Sequence, residues 1–262
     1  MEFTDQLQRK IKIPENPKRV ISLVPSQTEL LIDLGLEDHI SGITKFCVHP
    51  EDLRKRKKII GGTKSVHLER IKALQPDLIL CNKEENTEKM VLELEKIAPV
   101  HVSDIVTLKG AFDLMQQYGQ IFKKEVLVEK MISAVRNKKK EVERKVEGKR
   151  TKKVAYFIWK DPLMVAGNNT FINELLELNG FKNEFSGRYP ETNLEELQNL
   201  DLDLILLSTE PYPFKEKHKK LFKDIEAEVL LVDGEFFSWY GSRLIKALDY
   251  FLTLQDHASI SR

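Results

Sequence analysis

LERIKALQPDLIL, Leu68 to Leu80, returns almost unchanged as LEELQNLDLDLIL from Leu194 to Leu206, 126 residues further on. Seven of the thirteen paired positions are identical: Leu68/Leu194, Glu69/Glu195, Leu74/Leu200, Asp77/Asp203, Leu78/Leu204, Ile79/Ile205 and Leu80/Leu206. Each copy reads as a short amphipathic helix, a turn and a buried strand, because apolar residues first recur at helical spacing and then run unbroken. A solenoid would need three or more copies. Two copies at this spacing instead divide the chain into halves of related construction, and 262 residues give each half enough length for its own core.

Around the first copy, a short polar lead is followed by RVISLVPSQTELLIDLGL, which predicts a strand from Val20 to Val24, a Pro-Ser turn, and a helix from about Thr28 to Gly35. ISGITKF predicts a short strand, the paired glycines of IIGGTKSV a tight turn, EENTEKMVLELEKI an acidic helix, and PVHVSD another strand. From Leu108 the pattern turns helical. One long helix follows Lys124, its second half so charged that it is expected to bridge the lobes through solvent. Around the second copy, KKVAYFIW and EVLLVD predict strands, NNTFINELLELNGF predicts a capped helix stopped at Gly180, and GEFFSWYGSRL leads into a last helix. The expected fold class is α/β, two Rossmann-like α/β lobes joined by a single long α-helix. The expected divisions are an N-terminal lobe over residues 1–107, a helical segment with the inter-lobe helix over 108–149, and a C-terminal lobe over 150–262. Strands alternating with helices point to mainly parallel sheets, whose ligands lie beyond the carboxyl ends of the strands.

With 42 Lys+Arg against 41 Asp+Glu the chain is nearly neutral, which argues against nucleic acid as a partner. The basic runs RKRKK (Arg54 to Lys58) and KHKK (Lys217 to Lys220) read as solvated surface. Two cysteines, Cys47 and Cys81, imply no disulfide framework. MEFTDQLQRKIKIP carries charges throughout and no apolar stretch of the secretory kind, so the chain as written reads as cytoplasmic. A periplasmic or membrane-associated location applies if an export segment precedes it.

Loops following the expected strands are rich in aromatic and polar residues: Phe46-Cys47-Val48-His49, Trp159, Arg188-Tyr189, Tyr212 with Phe214, and Phe236-Phe237-Ser238-Trp239-Tyr240. Aromatic faces with a few placed polar groups suit a large, flat, partly apolar ligand. Cys47 and His49 are the one close pair of soft metal ligands, suited to holding zinc or to an axial position on a chelated iron or cobalt. The motifs G-x-S-x-G, G-x-G-x-x-G and H-E-x-x-H and the P-loop lysine motif are all missing, which leaves catalysis without a candidate. Gly61-Gly62-Thr63-Lys64 reads as a tight turn with Lys64 at the rim of a cleft.

In order, RVISLVPSQTELL, GITKFCVHP, IGGTKSVHLERIKALQPDLIL, the Lys-rich helix, VAGNNTFINELLELNGF, YPETNLEEL and VDGEFFSWYGSRL resemble the helical-backbone metal receptors. These are the class III periplasmic binding proteins that deliver cobalamin, haem and iron–siderophores to ABC importers. The resemblance covers about residues 18 to 252 and is nearest to the cobalamin-binding branch. It implies a substrate-binding protein, not an enzyme, that takes a metal chelate between its two lobes. A corrinoid fits first, haem or a ferric siderophore next, and no intrinsic cofactor is implied. The implied ligand contacts are Ser26 and Gln27, Phe46 to His49, Thr63 and Lys64, Met164, Tyr189 and Phe236 to Tyr240. Trp159 and Arg188 join them from the loop reading. Glu69 and Glu195 take the places of the carboxylates that meet arginines of the permease dimer, and the chain is expected to be a monomer. The alternative reading is a cytosolic corrinoid- or haem-handling metallochaperone or enzyme that uses Cys47 and His49.

Overall fold

The computed structural model describes residues 1–260. Contacts divide the chain into two compact units, the first made of Met1–Ile105, Lys109–Ser133 and Tyr240–Arg243, the second of Val106–Leu108, Ala134–Trp239 and Leu244–Arg262. The helical segment at 108–149 is therefore shared between the units, and a tetrapeptide near the C-terminus belongs to the first.

The first unit opens with β1 (Glu2–Thr4) and β2 (Lys10–Lys12), an antiparallel hairpin formed by what the sequence shows as a polar lead. Its turn is held by the buried Asp5 carboxylate, which accepts the Leu7 and Arg9 amides at 3.0 Å and the Val102 amide at 3.2 Å. Next come β3 (Val20–Ser22), α1 (Pro25–Asp33), β4 (Ile40–Ile43), α2 (Leu53–Arg56), β5 (Lys58–Ile59), α3 (Leu68–Ala73), β6 (Leu78–Asn82), α4 (Glu88–Glu95), β7 (Val100–Ser103), α5 (Leu108–Phe122) and the start of α6 (Glu125–Val146). The five strands from β3 to β7 are all parallel, in the order β5-β4-β3-β6-β7. Helix α1 begins earlier than the expected Thr28. Proline has a fixed φ and no N–H to lose, so Pro25 suits the first helical turn, and Ser26 and Gln27 stand on that turn and not before it. Gly35, with φ at +68°, ends the helix in the left-handed region where a side chain would be strained.

The second unit contains β8 (Lys152–Trp159), β9 (Leu163–Val165), α7 (Phe171–Leu178), β10 (Phe181–Asn183), β11 (Glu191–Thr192), α8 (Leu194–Gln198), β12 (Leu204–Ser208), β13 (Glu228–Val232), α9 (Gly234–Ser238) and α10 (Leu244–Ile260). Its sheet runs β11-β9-β8-β12-β13, with β10 beside the start of β8. Strands β8, β12 and β13 are parallel and match β3, β6 and β7 of the first unit. On the other side the units diverge: β9 runs antiparallel to β8, and β11 antiparallel to β9. The sequence does not announce β9, β10 and β11, which are two or three residues long and too short to show a period.

Each sheet is packed on both faces. Ile21, Ile79, Cys81, Val100 and Val102 meet Ile71 of α3 and Met90, Val91 and Leu94 of α4 in one core. Ala155, Phe157, Ile205 and Leu207 meet Leu197 of α8, with Phe214 and Phe222, in the other. Helix α6 differs from the solvent-bridging helix expected. Val128, Ile132, Val135 and Val142 form a buried stripe along it, and in the second unit Lys138 and Lys145 pair with Asp249 and Asp256 of α10. The charged residues line the flanks of a packed helix, as in an ordinary amphipathic one.

The aspartate shared by the two repeat copies has a common role. Asp77 accepts the amides of Lys18 and Arg19 at 2.9 and 3.0 Å, and its own amide donates to the Arg19 carbonyl at 2.8 Å. Asp203 accepts the Lys153 amide at 2.8 Å and donates its amide to the Lys153 carbonyl at 2.9 Å. Each carboxylate thus fastens the start of the repeat strand to the start of the central strand. Burial alone would raise the Asp77 pKa, but the two amides and the Arg19 guanidinium outweigh it and hold the carboxyl below its usual range. A depressed carboxylate contributes stability above its unfolded pKa and loses that contribution as pH falls through the folded value. Asp77→Ala should therefore destabilise the chain at neutral pH by about 1–3 kcal/mol in urea unfolding. The gap to the wild type should narrow as the pH drops below the usual carboxylate range.

Candidate functional site

In the first unit the chain leaves β3 for β4 on one side and later returns to place β6 on the other, so the switch point of the sheet lies between β3 and β6. Gln27, on the first turn of α1, fills this position. Its amide nitrogen donates to the Ser103 hydroxyl at 2.7 Å and the Tyr240 hydroxyl at 3.0 Å, and its carbonyl accepts from the Tyr118 hydroxyl at 2.7 Å. Asn82 donates to the same Ser103 hydroxyl at 3.0 Å, and Ser103 donates to the Cys81 carbonyl at 3.2 Å. Burial pushes the Tyr240 pKa up to about 12 and that of Tyr118 well above its usual value, so both phenols stay neutral donors or acceptors. A buried network whose members are satisfied rigidifies its surroundings. Gln27 and Tyr240, expected to contact ligand, are its members, and Ser26 beside them is also buried.

The tetrapeptide that carries Tyr240 is fastened by a second buried contact. Arg243 donates from Nε and an Nη atom to the two oxygens of Glu29 at 2.7 and 2.8 Å, with 6% and 8% of the side chains exposed. The guanidinium of Arg243 is thus committed to this internal bidentate pair. Gly241 lies between them with φ at +92°.

Cys47 is 1% exposed and sits 3.1 Å from the Thr28 hydroxyl and 3.3 Å from that of Thr44. Burial pushes its thiol up despite these hydroxyls. The thiol expected at an axial position thus stands packed against two hydroxyls with almost none of its surface exposed. His49 is half-buried two residues on. Among the described residues, no group of three or more His, Cys, Asp or Glu side chains is arranged to hold a metal ion.

Phe46 is different, with 48% of its surface exposed. The Lys45 ammonium lies 5.0 Å from its ring centroid, and a Cβ added at Gly62 would come within 3.3 Å of the ring. The turn expected at Gly61-Gly62 is present, closed by the Gly62 amide donating to the Ser65 carbonyl at 2.7 Å. It brings Thr63, buried, and Lys64, exposed, to the strand-end face. Sequence reasoning passed over Glu85, in the loop after β6. Its pKa is raised by burial, against the opposing pull of Lys64 and Thr63. An acidic run such as KEENTEK reads as solvated surface, so no local signal marks one of its glutamates.

In the second unit Trp159 ends β8 with 40% of its surface exposed, and Met164 of β9 is its cross-strand partner. The Tyr212 ring stands edge-on to Trp159 with centroids 5.7 Å apart, and Phe214 and His218 continue the cluster. Arg188 and Tyr189 are half-buried in the loop before β11, where the Arg188 carbonyl accepts the Gly167 amide at 2.9 Å. The run from Phe236 to Trp239 is mostly internal. Phe237 is fully buried, 5.1 Å from the Tyr156 ring and 4.8 Å from that of Phe251, which corrects it from ligand contact to core. Trp239 is 7% exposed, and Phe236 is half-buried against Tyr250 with ring centroids 5.0 Å apart. Sequence reasoning places them on a loop. Asp233 instead caps α9, so these aromatics lie on and just after a helix, one side of which meets the core.

Comparison with known proteins gives a consistent picture. The family described as "Periplasmic binding protein" matches over residues 20–230. The chain is 24% identical over 260 residues to an uncharacterized ABC transporter substrate-binding lipoprotein, YvrC, of Bacillus subtilis, covering 94% of this chain and 82% of that one. It is 24% identical over 237 residues to the vitamin B12-binding protein of Pectobacterium carotovorum, covering 88% and 86%. Among solved structures, the periplasmic vitamin B12 binding protein BtuF of Vibrio cholerae superposes with a TM-score of 0.82 at 18% identity, covering 95% of this chain and all of that one.

Breaking the internal ion pair tests how firmly the tetrapeptide is held. Glu29→Ala leaves the Arg243 charge buried without its counterion and should cost about 3–5 kcal/mol in urea unfolding. Adding Arg243→Met should restore a large part of that loss, because the uncompensated charge is gone.

Proposed function

Starting from a chain that belongs to the periplasmic binding protein family, we propose that it is the substrate-binding component of an ABC-type importer and that it carries a corrinoid-like metal chelate without chemically altering it. The observation that carries this reading is the placement of two rings. Among the described Phe, Tyr and Trp side chains Phe46 and Trp159 are the most exposed, and each stands at the carboxyl end of its unit's sheet. Exposed aromatic faces beside a few polar groups match a flat, partly apolar ligand with polar edges. In the first unit those groups are Thr63, Lys64 and His49; in the second they are Arg188 and Tyr189, with the Met164 thioether beside Trp159. The vitamin B12-binding relatives support a corrinoid before haem or a ferric siderophore.

The family and the lipoprotein relative support an extracytoplasmic site of action next to a permease. No helix among the described residues is long and apolar enough to cross a membrane. Glu69 and Glu195, each the second residue of a repeat helix and exposed, are the proposed contacts with two arginine-bearing permease subunits. Glu69 is paired with Lys72 at 2.9 Å on its own helix, a surface contact that a permease arginine can replace at little cost.

Two measurements test the reading. In absorbance titrations against cobalamin, cobinamide, haem and a ferric siderophore, a corrinoid should bind without turnover, and Phe46→Ala and Trp159→Ala should each weaken it by about 2 kcal/mol with the fold intact. Unchanged affinity in both variants would remove the aromatic faces from the site. Charge reversal at both Glu69 and Glu195 should leave chelate affinity within about 0.5 kcal/mol while abolishing capture of the permease. A loss of chelate affinity would instead place these residues at the ligand.

A further inference from the structure

Leu92, Leu194 and Leu221 are the only leucines exposed among the described residues, at 55%, 41% and 38%. All three lie in the helical layers that carry Glu69 and Glu195. In the first unit α3, with Glu69, and α4, with Leu92, cover the same sheet face, since Ile71 of one and Met90, Val91 and Leu94 of the other belong to a single core. In the second unit α8, with Leu194 and Glu195, shares a core with the 3-10 helix Glu216–Phe222, which contributes Phe222 and leaves Leu221 outside.

The elements that carry Leu92 and Leu221 are counterparts. Helix α4 connects β6 to β7 and the 3-10 helix connects β12 to β13, so each follows the repeat strand and precedes the strand parallel to it. Each also holds an ion pair of its own near its leucine, Glu93 with Lys96 at 2.6 Å and Glu216 with Lys219 at 2.9 Å. These charges are matched locally, and the leucines are left to the surface.

A single exposed leucine is ordinary. Folding does not call for these two, however, because Met90, Val91 and Leu94 already seat α4 and Phe222 seats the 3-10 helix, and a polar residue suits the solvent side of such elements. Their places distinguish them: in both units a carboxylate on the repeat helix and a leucine on the next helix share one layer. A partner with two-fold symmetry offers the same surface to each unit. Exposed charges set the rate and orientation of encounter, whereas apolar side chains that become buried hold the complex once it has formed.

We propose that Leu92 and Leu221 are the apolar anchors of the permease contact, each seated in an apolar recess of one permease subunit beside the arginine that meets Glu69 or Glu195. Leu194, next to Glu195 in the chain, adds to the contact of the second unit. This rests on the reading that the chain delivers its ligand to an ABC-type permease through Glu69 and Glu195, and it adds the residues that keep the two proteins together.

The test measures binding of the full chain to the cognate importer in nanodiscs, with protein-free nanodiscs of the same lipids alongside. Leu92→Gln and Leu221→Gln should each weaken binding about tenfold through faster dissociation, and the loss should persist in high salt. Charge reversal at Glu69 and Glu195 should act on association, with an effect that fades as salt rises. Leu92→Met and Leu221→Met should bind within about twofold of the wild type. Chelate affinity and thermal midpoint should stay at wild-type values in all four leucine variants, since the positions are exposed and glutamine and methionine are good helix formers. A second readout uses Leu92→Cys and Leu221→Cys: the native Cys47 and Cys81 are buried, so a thiol-linked photo-crosslinker reports from the new positions and should capture a membrane subunit of the importer. A wild type that binds the importer while both glutamine variants stay within about twofold of it overturns the leucine anchors and leaves the carrier reading standing. Equal binding of the wild type to protein-free nanodiscs, lost in the glutamine variants, overturns the anchors in favour of a lipid contact. A wild type that does not bind the importer at all overturns the carrier reading and this inference with it.

Discussion

In each unit an aspartate at the start of one strand binds the backbone at the start of its neighbour, and the register set there determines what reaches the far end of the sheet. Asp77 holds β6 against β3 with Leu78 beside Val20, and Asp203 holds β12 against β8 with Leu204 beside Val154. A slip of one residue would turn every inward side chain outward. With the register fixed, Asn82 arrives beside Ser103, and the β6 loop can lean across to Thr63. The repeat that opens the sequence is thus a repeat of this fastening as much as of a helix and a strand.

Above that frame the first unit separates support from surface. Gln27, Ser103, Tyr118 and Tyr240 use their polar groups on one another, and Glu29 and Arg243 neutralise each other out of contact with water. Such groups position their neighbours and have little left to offer a ligand. Phe46 and Lys64 are exposed in loops beyond the strand ends. An arrangement of aromatic rings and fixed polar groups suits a binding protein.

The two units are related but not interchangeable. They share three parallel strands, and they part where the first continues with parallel β4 and β5 while the second turns back through β9. That reversal sets Met164 opposite Trp159 and, one strand further, Glu191 opposite Met164. The second unit therefore presents a thioether and an indole side by side where the first presents Phe46 over a glycine turn.

Features set by local periodicity were legible in the sequence. The repeat, the central strands, the long helix and the α/β class follow from runs and spacings a few residues long, and the ordered motifs were enough to indicate the family. Turns with glycine or proline were legible too, though the N-terminal preference of Pro25 moved Ser26 and Gln27 onto a helix. The burial of individual side chains was not legible, because it depends on which loops meet at the strand ends. Phe46 and Phe237 look alike in sequence, yet one is exposed on a glycine turn and the other is packed between Tyr156 and Phe251. Nothing near Arg243 in the sequence marks its partner Glu29, 214 residues away in the chain. Sequence by itself determined the elements and their order, since these are set by neighbours along the chain; tertiary structure alone decided which polar groups are satisfied within the protein and which remain for a ligand, since that depends on partners far away in sequence.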